Sequence, residues 1–177
     1  WWEASGTMST LKVDTIQKTN GSAPTLNDLS ISHAGSIVQV VQTRTDSGIS
    51  TASTSYVTTG LTLAITPKFS TSKLKIMVLG GRNYYQSDSV QHDTKLYVDG
   101  SAYGGSGRLT SYYNNGGGTS IHYGAWSIVE YIDASSTSAR TYQIYHKTSD
   151  AAKTVHFNNV GASNDIYVHM YIYEIKQ

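Results

Sequence analysis

The last predicted strand, residues 165–175, alternates two kinds of side chain, and neither kind suits contact with water. Successive side chains point to opposite faces of a strand. One face is aliphatic and consists of Ile166, Val168, Met170 and Ile172. The other face is mostly aromatic and consists of Tyr167, His169, Tyr171, Tyr173 and Ile175. A strand with one solvated face carries small polar or charged residues there. The pattern therefore predicts that the aliphatic face closes the subunit's core and that another copy of the chain covers the aromatic face.

Alternation of apolar and polar residues predicts strands throughout residues 36–177. Lys73 to Gly80 is the clearest example, because its aliphatic residues alternate with lysines. Further strands are predicted at residues 37–42, 56–66, 94–100, 122–132, 140–147 and 154–158. The dipeptide Asp99-Gly100 is the strongest hairpin signal. Residues 43–54 and the glycine-rich residues 101–120 are predicted to be loops.

Eight or nine short strands, with no helical spacing of apolar residues, indicate an all-β chain. The sequence predicts an antiparallel β-sandwich of jelly-roll type over residues 36–177. Residues 1–35 are too short and too polar to form a core, although Leu11 and Val13 stand in step. We expect this segment to be an extended arm that attaches the sandwich to another protein or to a neighbouring subunit.

Composition excludes several classes of partner. The chain of 177 residues has 13 basic and 12 acidic residues and a formal charge of +1, so no bulk attraction to nucleic acid is expected. No run approaches the roughly 18–20 apolar residues of a spanning helix, and membrane insertion is not expected. The absence of cysteine excludes disulfides and thiolate zinc sites.

Catalytic chemistry has little support in the sequence. Half of the acidic residues stand at predicted turns, where a carboxylate hydrogen-bonds the local backbone: Asp28, Asp46, Asp99, Asp133, Asp150 and Asp165. A glycosidase needs two carboxylates across a cleft, and no pair in the sequence singles itself out. No nucleophile elbow, phosphate loop or zinc motif is present. We expect neither an enzyme nor a bound cofactor.

The six histidines are dispersed, and none forms a chelating pair with a neighbour in sequence. On the threefold axis of a trimer, one histidine from each chain supplies three imidazoles, which is enough to bind a metal ion. His169 is the weak candidate for such a site, because it lies among aromatic residues of the predicted interface. The favoured alternative is a histidine hydrogen-bonded to a neighbouring tyrosine or to the backbone. No metal site is predicted.

Tyrosine is the enriched residue type, with 14 tyrosines against two phenylalanines. Tyrosine beside asparagine, serine and glycine is typical of adaptable binding surfaces. Several tyrosines fall in predicted loops, near an arginine and two asparagines that suit sugar hydroxyls. The resulting candidates for glycan binding are Tyr84, Tyr85, Tyr103, Arg108, Tyr112, Tyr113, Asn114 and Asn115. The alternative is that these tyrosines cover strand ends or pack between subunits.

Several segments, in their order along the chain, resemble structural and tail-fibre proteins of marine tailed bacteriophages, notably cyanophages. The opening Met8-Ser-Thr-Leu-Lys-Val-Asp-Thr-Ile-Gln17 is similar to a common start of such proteins. The later segments that resemble their fibre-tip domains are 35–42, 55–61, 65–78 and 96–100. The resemblance spans nearly the whole chain from Met8. The loop at residues 112–118 departs from any shared pattern.

The resemblance implies a homotrimeric jelly roll on the surface of a phage particle. Its arm would contact other virion proteins, and its tip would bind a bacterial surface polysaccharide. The trimer interface would comprise the four rings of the last strand, Tyr167, His169, Tyr171 and Tyr173. Two alternatives stay open. One is a structural capsid decoration or head-fibre protein that binds no receptor, and the other is a secreted carbohydrate-binding module unrelated to phage.

Overall fold

The computed structural model describes residues 17, 20–23, 34–86, 90–104, 110–113, 121–158 and 166–177. The chain divides into two compact units, residues 1–33 and residues 34–177. In the first unit the side-chain oxygen of Asn20 accepts hydrogen bonds from the amide of Ser22 at 3.1 Å and from its hydroxyl at 2.6 Å. These bonds form a local turn at Asn20. The assignment of this segment as an arm stays a prediction.

The second unit consists of two antiparallel sheets. The first sheet contains β1 (Ile37–Thr45), β2 (Ile49–Thr51), β4 (Lys73–Gln86), β8 (Ile121–Asp133), β10 (Val155–Phe157) and β11 (Val168–Ile175). The second sheet contains β3 (Val57–Ile65), β5 (Gln91–Val98), β6 (Ser101–Ala102), β7 (Thr110–Tyr113) and β9 (Arg140–Thr148). Within the described ranges there is no helix long and apolar enough to cross a membrane.

The strand order is that of a jelly roll. The first sheet runs β1-β11-β4-β8. Near the C-terminal end of β4, at Tyr84 and Tyr85, that strand also pairs with β10, and β10 in turn pairs with β2. The second sheet runs β3-β9-β5, and both β6 and β7 pair with the remaining edge of β5. Without the short strands β2, β6 and β10, eight strands remain, namely β1, β3, β4, β5, β7, β8, β9 and β11. Counted along the chain, the first, eighth, third and sixth of these lie in one sheet, and the other four lie in the second. This arrangement of two Greek keys confirms the predicted fold class.

The core lies between the two sheets and contains the aliphatic face of β11. Val168, Met170 and Ile172 are fully buried, as the sequence predicted. The first sheet adds the buried Leu74, Ile76 and Val78 of β4. From the second sheet the fully or almost fully buried side chains of Leu61, Leu96, Tyr142 and Ile144 join the same cluster. Each such aliphatic side chain contributes about 1.5–3 kcal/mol of transfer free energy.

A bulge in β4 lengthens that strand beyond its predicted end. The sequence predicts that the strand stops at Gly80, but it continues to Gln86. The register against β8 shifts between Gly80 and Asn83, because two residues of β4, Gly81 and Arg82, stand opposite a single residue of β8, Ala125. Gly80 has a φ of +90°, and a Cβ at this position would lie 2.6 Å from the carbonyl oxygen of Tyr167. Glycine is therefore required for the backbones to approach each other here.

The predicted Asp-Gly hairpin is confirmed. Asp99 and Gly100 have φ values of 51° and 79°, and Val98 pairs with Ser101. Two positive φ values at the central positions define a type I′ turn, which matches the twist of the flanking strands. The carboxylate of Asp99 accepts a hydrogen bond of 2.7 Å from the amide of Thr141, so the turn is also fastened to β9.

Glu174 is a buried carboxylate that ties the β3–β4 connection to the last strand. It is fully buried at the end of β11. Its oxygens accept hydrogen bonds from the amides of Lys68 and Phe69 at 2.8–2.9 Å and from the side chain of Gln39 at 2.6 Å. Burial by itself raises the pKa of Glu174, but these hydrogen bonds favour the charged form and leave the pKa below its usual value.

Two segments that the sequence predicts as loops contain strands. β1 continues to Thr45 and β2 occupies Ile49–Thr51, within the predicted loop 43–54. β6 and β7 fall within the predicted loop 101–120. All of these are short edge strands or extensions whose hydrogen bonds come from a partner strand. Residues 105–109 and 114–120 of the second segment lie outside the described part.

Candidate functional site

The outward surface of the first sheet is a grid of side chains from β1, β11, β4 and β8, which we call the aromatic face. Register places the residues in rows across the four strands. The two central rows are Val40, Tyr173, Lys75 and Tyr131, and then Gln42, Tyr171, Met77 and Val129. The two outer rows are Ile37, Ile175, Lys73 and Asp133, and then Arg44, His169, Leu79 and Ser127.

The aromatic face carries all the large hydrophobic side chains that are exposed in the described part of the chain. These are Ile37 at 59%, Val40 at 48%, Val129 at 46% and Tyr131 at 55% of their full exposure. Strand spacing and residue rise give the grid an area of about 500 Å². Exposed apolar side chains gathered on one surface often mark an interaction surface in soluble proteins. A single subunit thus leaves its aromatic face in water at a cost in free energy.

Rings line up along β11 within this face. Neighbouring ring centroids lie 6.2 Å apart for Tyr167 and His169, 6.0 Å for His169 and Tyr171, and 6.3 Å for Tyr171 and Tyr173. The last two pairs are close to parallel, with interplanar angles of 9° and 29°. The spacing follows the two-residue repeat of a strand, about 6.6–6.8 Å. The predicted alternation of β11 therefore produces a continuous aromatic row.

Charged groups lie at both ends of the aromatic face, and one more, Lys75, lies in a central row with its Nζ atom 5.8 Å from the ring centroid of Tyr131. The guanidinium of Arg44 lies 4.7 Å from the ring centroid of Tyr167 at one end. Lys73 and Asp133 form an ion pair in the last row at the other end. Charged residues at the border of a largely apolar and aromatic surface are usual in a protein interface. Two shallow depressions flank the aromatic row, with volumes of about 300 Å³ beside His169 and about 460 Å³ beside Tyr173.

The structure brings together two histidines that the sequence analysis treated as dispersed. His92 of β5 and His146 of β9 are both fully buried, and Nε2 of His92 lies 3.1 Å from Nδ1 of His146. Burial lowers the pKa of His92 to about 3, with a further lowering by His146 and His156. Burial, and then His156, lowers the pKa of His146 to about 4. Both imidazoles are therefore neutral near pH 7, and one donates a hydrogen bond to the other.

The histidine pair does not form a metal centre with its described surroundings. Among the described residues, no group of three or more histidine, aspartate, glutamate or cysteine side chains is arranged to hold a metal ion. The ring of Phe157 packs against His146 with its centroid at 6.0 Å. His169, the weak metal candidate, has its Nδ1 at 3.4 Å from the hydroxyl of Tyr171, which is the contact that the favoured alternative predicts.

The predicted glycan-binding residues lie partly within and partly outside the described structure. Tyr84 and Tyr85 lie in β4, and Tyr112 and Tyr113 lie in β7, so their assignment to loops was wrong. Pairing with β10 and β5 accounts for these strands. Tyr103 does follow a turn, but it is half-buried and packs against the core. Arg108, Asn114 and Asn115 lie outside the described residues. Glycan binding by this set stays a prediction.

The contribution of β1 and β8 to the aromatic face was not predicted from the sequence. Val129 and Tyr131 alternate with the buried Ile128 and Ile132, so the period-two pattern carried the signal. Ile37 and Val40 share a face although they are three positions apart, because the register of β1 shifts between Ile37 and Gln39. Such a bulge has no signature in this sequence.

Comparison with known proteins gives a loose structural likeness only. No protein-family model matches the chain, and no curated protein sequence matches it. A subviral particle of VP2 from infectious bursal disease virus is 14% identical over 80% of this chain and 38% of its own chain, with a TM-score of 0.35. The Gt strain of the same virus gives 14% identity, 78% and 37% coverage and a TM-score of 0.33. The chain spans less than two fifths of those chains, and likeness at this level carries no argument about function.

Proposed function

We propose that this chain is a bacteriophage virion fibre protein that assembles as a homotrimer through its aromatic face and adheres to a host-cell surface glycan. The observation that carries the proposal is the concentration of exposed Ile37, Val40, Val129 and Tyr131 on one face of one sheet. Covering that face with identical copies buries these side chains without requiring any other protein. Three copies also multiply a weak glycan affinity through avidity.

The resemblance to phage fibre proteins supports the placement on a virion. It covers the chain from Met8 onward and so includes residues 8–35 of the predicted arm. A fibre protein needs such a segment for attachment to the particle, whereas a free secreted lectin does not. No catalytic activity is part of the proposal, since adhesion needs only reversible binding, with an affinity in the millimolar to micromolar range at each site.

Molar mass in solution tests the assembly. One chain has a mass of 19.2 kDa, and a homotrimer should scatter light as a species of about 58 kDa, three times that value. A monomer at all concentrations would refute the trimer. Deleting residues 1–33 should leave the protein trimeric, with a molar mass lowered only by that of the deleted residues, because the aromatic face belongs entirely to residues 34–177.

A single charge placed in the aromatic face provides a sharper test. Val129→Asp should leave the subunit folded, since the side chain is 46% exposed, but should shift the molar mass to that of a monomer. In the trimer the carboxylate would be buried without a partner, at a cost of several kcal/mol per subunit. Thr62→Asp is the matched control, because Thr62 is an exposed position on β3 of the other sheet. If both variants remain trimeric, the aromatic face is not the interface.

Binding to whole cells separates adhesion from the alternative of a structural capsid decoration or head-fibre protein. Purified protein should bind host bacteria, and the double variant Tyr112→Ala with Tyr113→Ala should bind less if the predicted loop region contacts the receptor. Protein that binds no host cells and attaches to capsids instead would favour the decoration protein and refute adhesion.

A further inference from the structure

The outward surface of the second sheet contains a depression of about 490 Å³ whose lining includes Tyr56, Lys95 and Lys147. Tyr97 and Tyr145 stack with ring centroids 3.9 Å apart and an interplanar angle of 21°. The ring of Tyr56 lies 6.4 Å from that of Tyr97. The volume falls within the range of small-molecule sites, about 300–1,000 Å³. We call this depression the tyrosine–lysine site.

Two ammonium groups converge on one ring of this site. The Nζ atom of Lys147 lies 5.0 Å from the ring centroid of Tyr56, and that of Lys95 lies 5.7 Å from it. A cation within about 6 Å of a ring is held by the negative potential of the ring face. Two like charges held against one ring create a positive potential above it that attracts an anion.

The burial of the charged groups indicates that the site is built rather than accidental. Lys95 is 5% exposed and Asp93 is 3% exposed, although both point away from the core of the sandwich. Asp93 pairs in register with Lys147, so the carboxylate offsets one of the two positive charges. Within this described set the two lysines and one aspartate leave a net charge of +1. Lys147, the less buried of the two lysines, lines the opening.

Hydroxyl and amide groups complete the lining. Thr54, Gln91 and Ser149 border the same depression. The hydroxyl of Ser149 accepts a hydrogen bond of 2.9 Å from the amide of Gln91, which fixes one wall. Ammonium groups, hydroxyls and an amide around aromatic rings suit a ligand that combines a ring, several hydroxyls and a negative charge.

We infer that the tyrosine–lysine site binds an anionic saccharide, whose carboxylate or sulfate group contacts the lysines and whose hydroxyls contact the polar wall. This inference rests on the proposed function, because it names the chemical class of the receptor. It also changes the location of binding. The site lies on the second sheet, on the opposite side of the sandwich from the aromatic face, and therefore stays accessible in the proposed trimer.

Calorimetric titration with three oligosaccharides tests the class of ligand. The probes are an oligogalacturonate for carboxylates, a sulfated dextran oligosaccharide for sulfate esters and maltohexaose as the neutral control. At least one anionic probe should bind with a dissociation constant in the millimolar range or lower, and its affinity should fall with added salt. Equal affinity for maltohexaose, or no binding of either anionic probe, would overturn the inference.

A lysine variant tests the location. Lys147→Gln should weaken binding of the anionic probe about tenfold, because it removes one charge-assisted contact. Lys176→Gln is the matched control, since the Nζ atom of Lys176 also lies over a ring, that of Phe69, at 5.1 Å, but outside the site. Equal affinity in both variants would overturn the assignment.

A measurement on the unchanged protein covers the case in which Lys147→Gln does not fold. In a titration followed by nuclear magnetic resonance, the resonances of Tyr56 and Gln91 should move, while those of Tyr131 on the aromatic face should not. Movement confined to Tyr131 would overturn the site.

Host-cell binding that persists in Lys147→Gln would leave adhesion standing and refute only this site. Failure to bind both cells and probes would refute the proposed function as well.

Discussion

Acidification should destabilise the sandwich through the buried histidine pair. Burial lowers the pKa of His92 to about 3 and that of His146 to about 4, against an ordinary value of 6.5. Between pH 7 and pH 5 the unfolded chain takes up a proton on each imidazole, whereas the folded chain takes up none. The stability that comes from keeping these two imidazoles neutral in the folded chain is therefore fully present above pH 6.5. It decreases as the pH falls toward the pKa values of the folded state.

The magnitude follows from the distance between pH 5 and the ordinary pKa. At about 1.5 units below 6.5, with 1.36 kcal/mol per unit, each histidine costs about 2 kcal/mol and the pair about 4 kcal/mol. This result does not depend on the folded pKa values as long as both stay below 5. His156, whose pKa is also lowered by burial, acts in the same direction. A loss of this size is a large part of the 5–15 kcal/mol typical of a domain.

Urea unfolding at pH 7 and pH 5 measures this loss directly. Both titrations need the same protein concentration, since association contributes to the apparent stability of an oligomer. The double variant His92→Leu with His146→Leu replaces the pair by apolar side chains of similar size. Between pH 7 and pH 5 its free energy of unfolding should fall by about 4 kcal/mol less than that of the unchanged protein. His169→Gln, on the aromatic face, should retain most of the loss of the unchanged protein.

Two outcomes would refute this reasoning. One is a loss below about 1 kcal/mol in the unchanged protein, where the linkage predicts about 4 kcal/mol. The other is the same loss in the double variant. If the double variant does not fold, the imidazole proton resonances of the unchanged protein decide the question. Those of His92 and His146 should not titrate between pH 7 and pH 5.

Three further substitutions test single contacts by urea unfolding. Glu174→Gln should cost about 1–3 kcal/mol at pH 7 and less at pH values below the lowered pKa of Glu174, where the native carboxylate is itself protonated. Gly80→Ala should cost about 2 kcal/mol or more, because its Cβ would lie 2.6 Å from the carbonyl oxygen of Tyr167. Asp99→Ala should cost about 1–2 kcal/mol, since it removes the acceptor for the amide of Thr141 from a residue with a φ of 51°. A change within 0.5 kcal/mol, about that of an ordinary surface substitution, would contradict each of the three.

The terminal strand was predictable because both of its faces are informative. Period-two alternation separated Val168, Met170 and Ile172 from the rings, and the structure buries these three side chains completely, whereas Ile166 of the same predicted face is half-buried. The Asp99-Gly100 turn was equally predictable, because few residues adopt positive φ at both central positions. Local sequence was sufficient in these two places, since the signal needed no knowledge of a partner strand.

The histidine pair was not predictable by the same means. The predicted strand began at Thr94, so His92 fell outside it, whereas β5 begins at Gln91. The pairing of β5 with β9 brings His92 and His146 together across 54 positions of sequence, and alternation within one strand contains no information on that pairing. The same limit applies to Lys95 and Lys147. They lie on different strands, and only the pairing of β5 with β9 brings them together.

The edge strands were missed for another reason. β7 has four residues in a glycine-rich region, and its β-structure depends on the hydrogen bonds of β5 rather than on its own composition. The extension of β4 beyond Gly80 was missed because two consecutive glycines usually end a strand, and here they form a bulge.

The chain enters and leaves the sandwich at one point. The amide of Gly35 donates a hydrogen bond of 2.7 Å to the carbonyl of Lys176, and the amide of Lys176 donates one of 3.0 Å to the carbonyl of Ser36. A short linker between residues 177 and 34 would therefore close the sandwich into a ring without distortion, and the ring could be opened at an exposed turn elsewhere. The Asp150–Lys153 turn, which is mostly exposed, is one suitable opening. A circularly permuted sandwich of this kind would present its new ends at the Asp150–Lys153 turn instead of beside Gly35 and Lys176, and a cargo fused there would leave the sandwich from that turn.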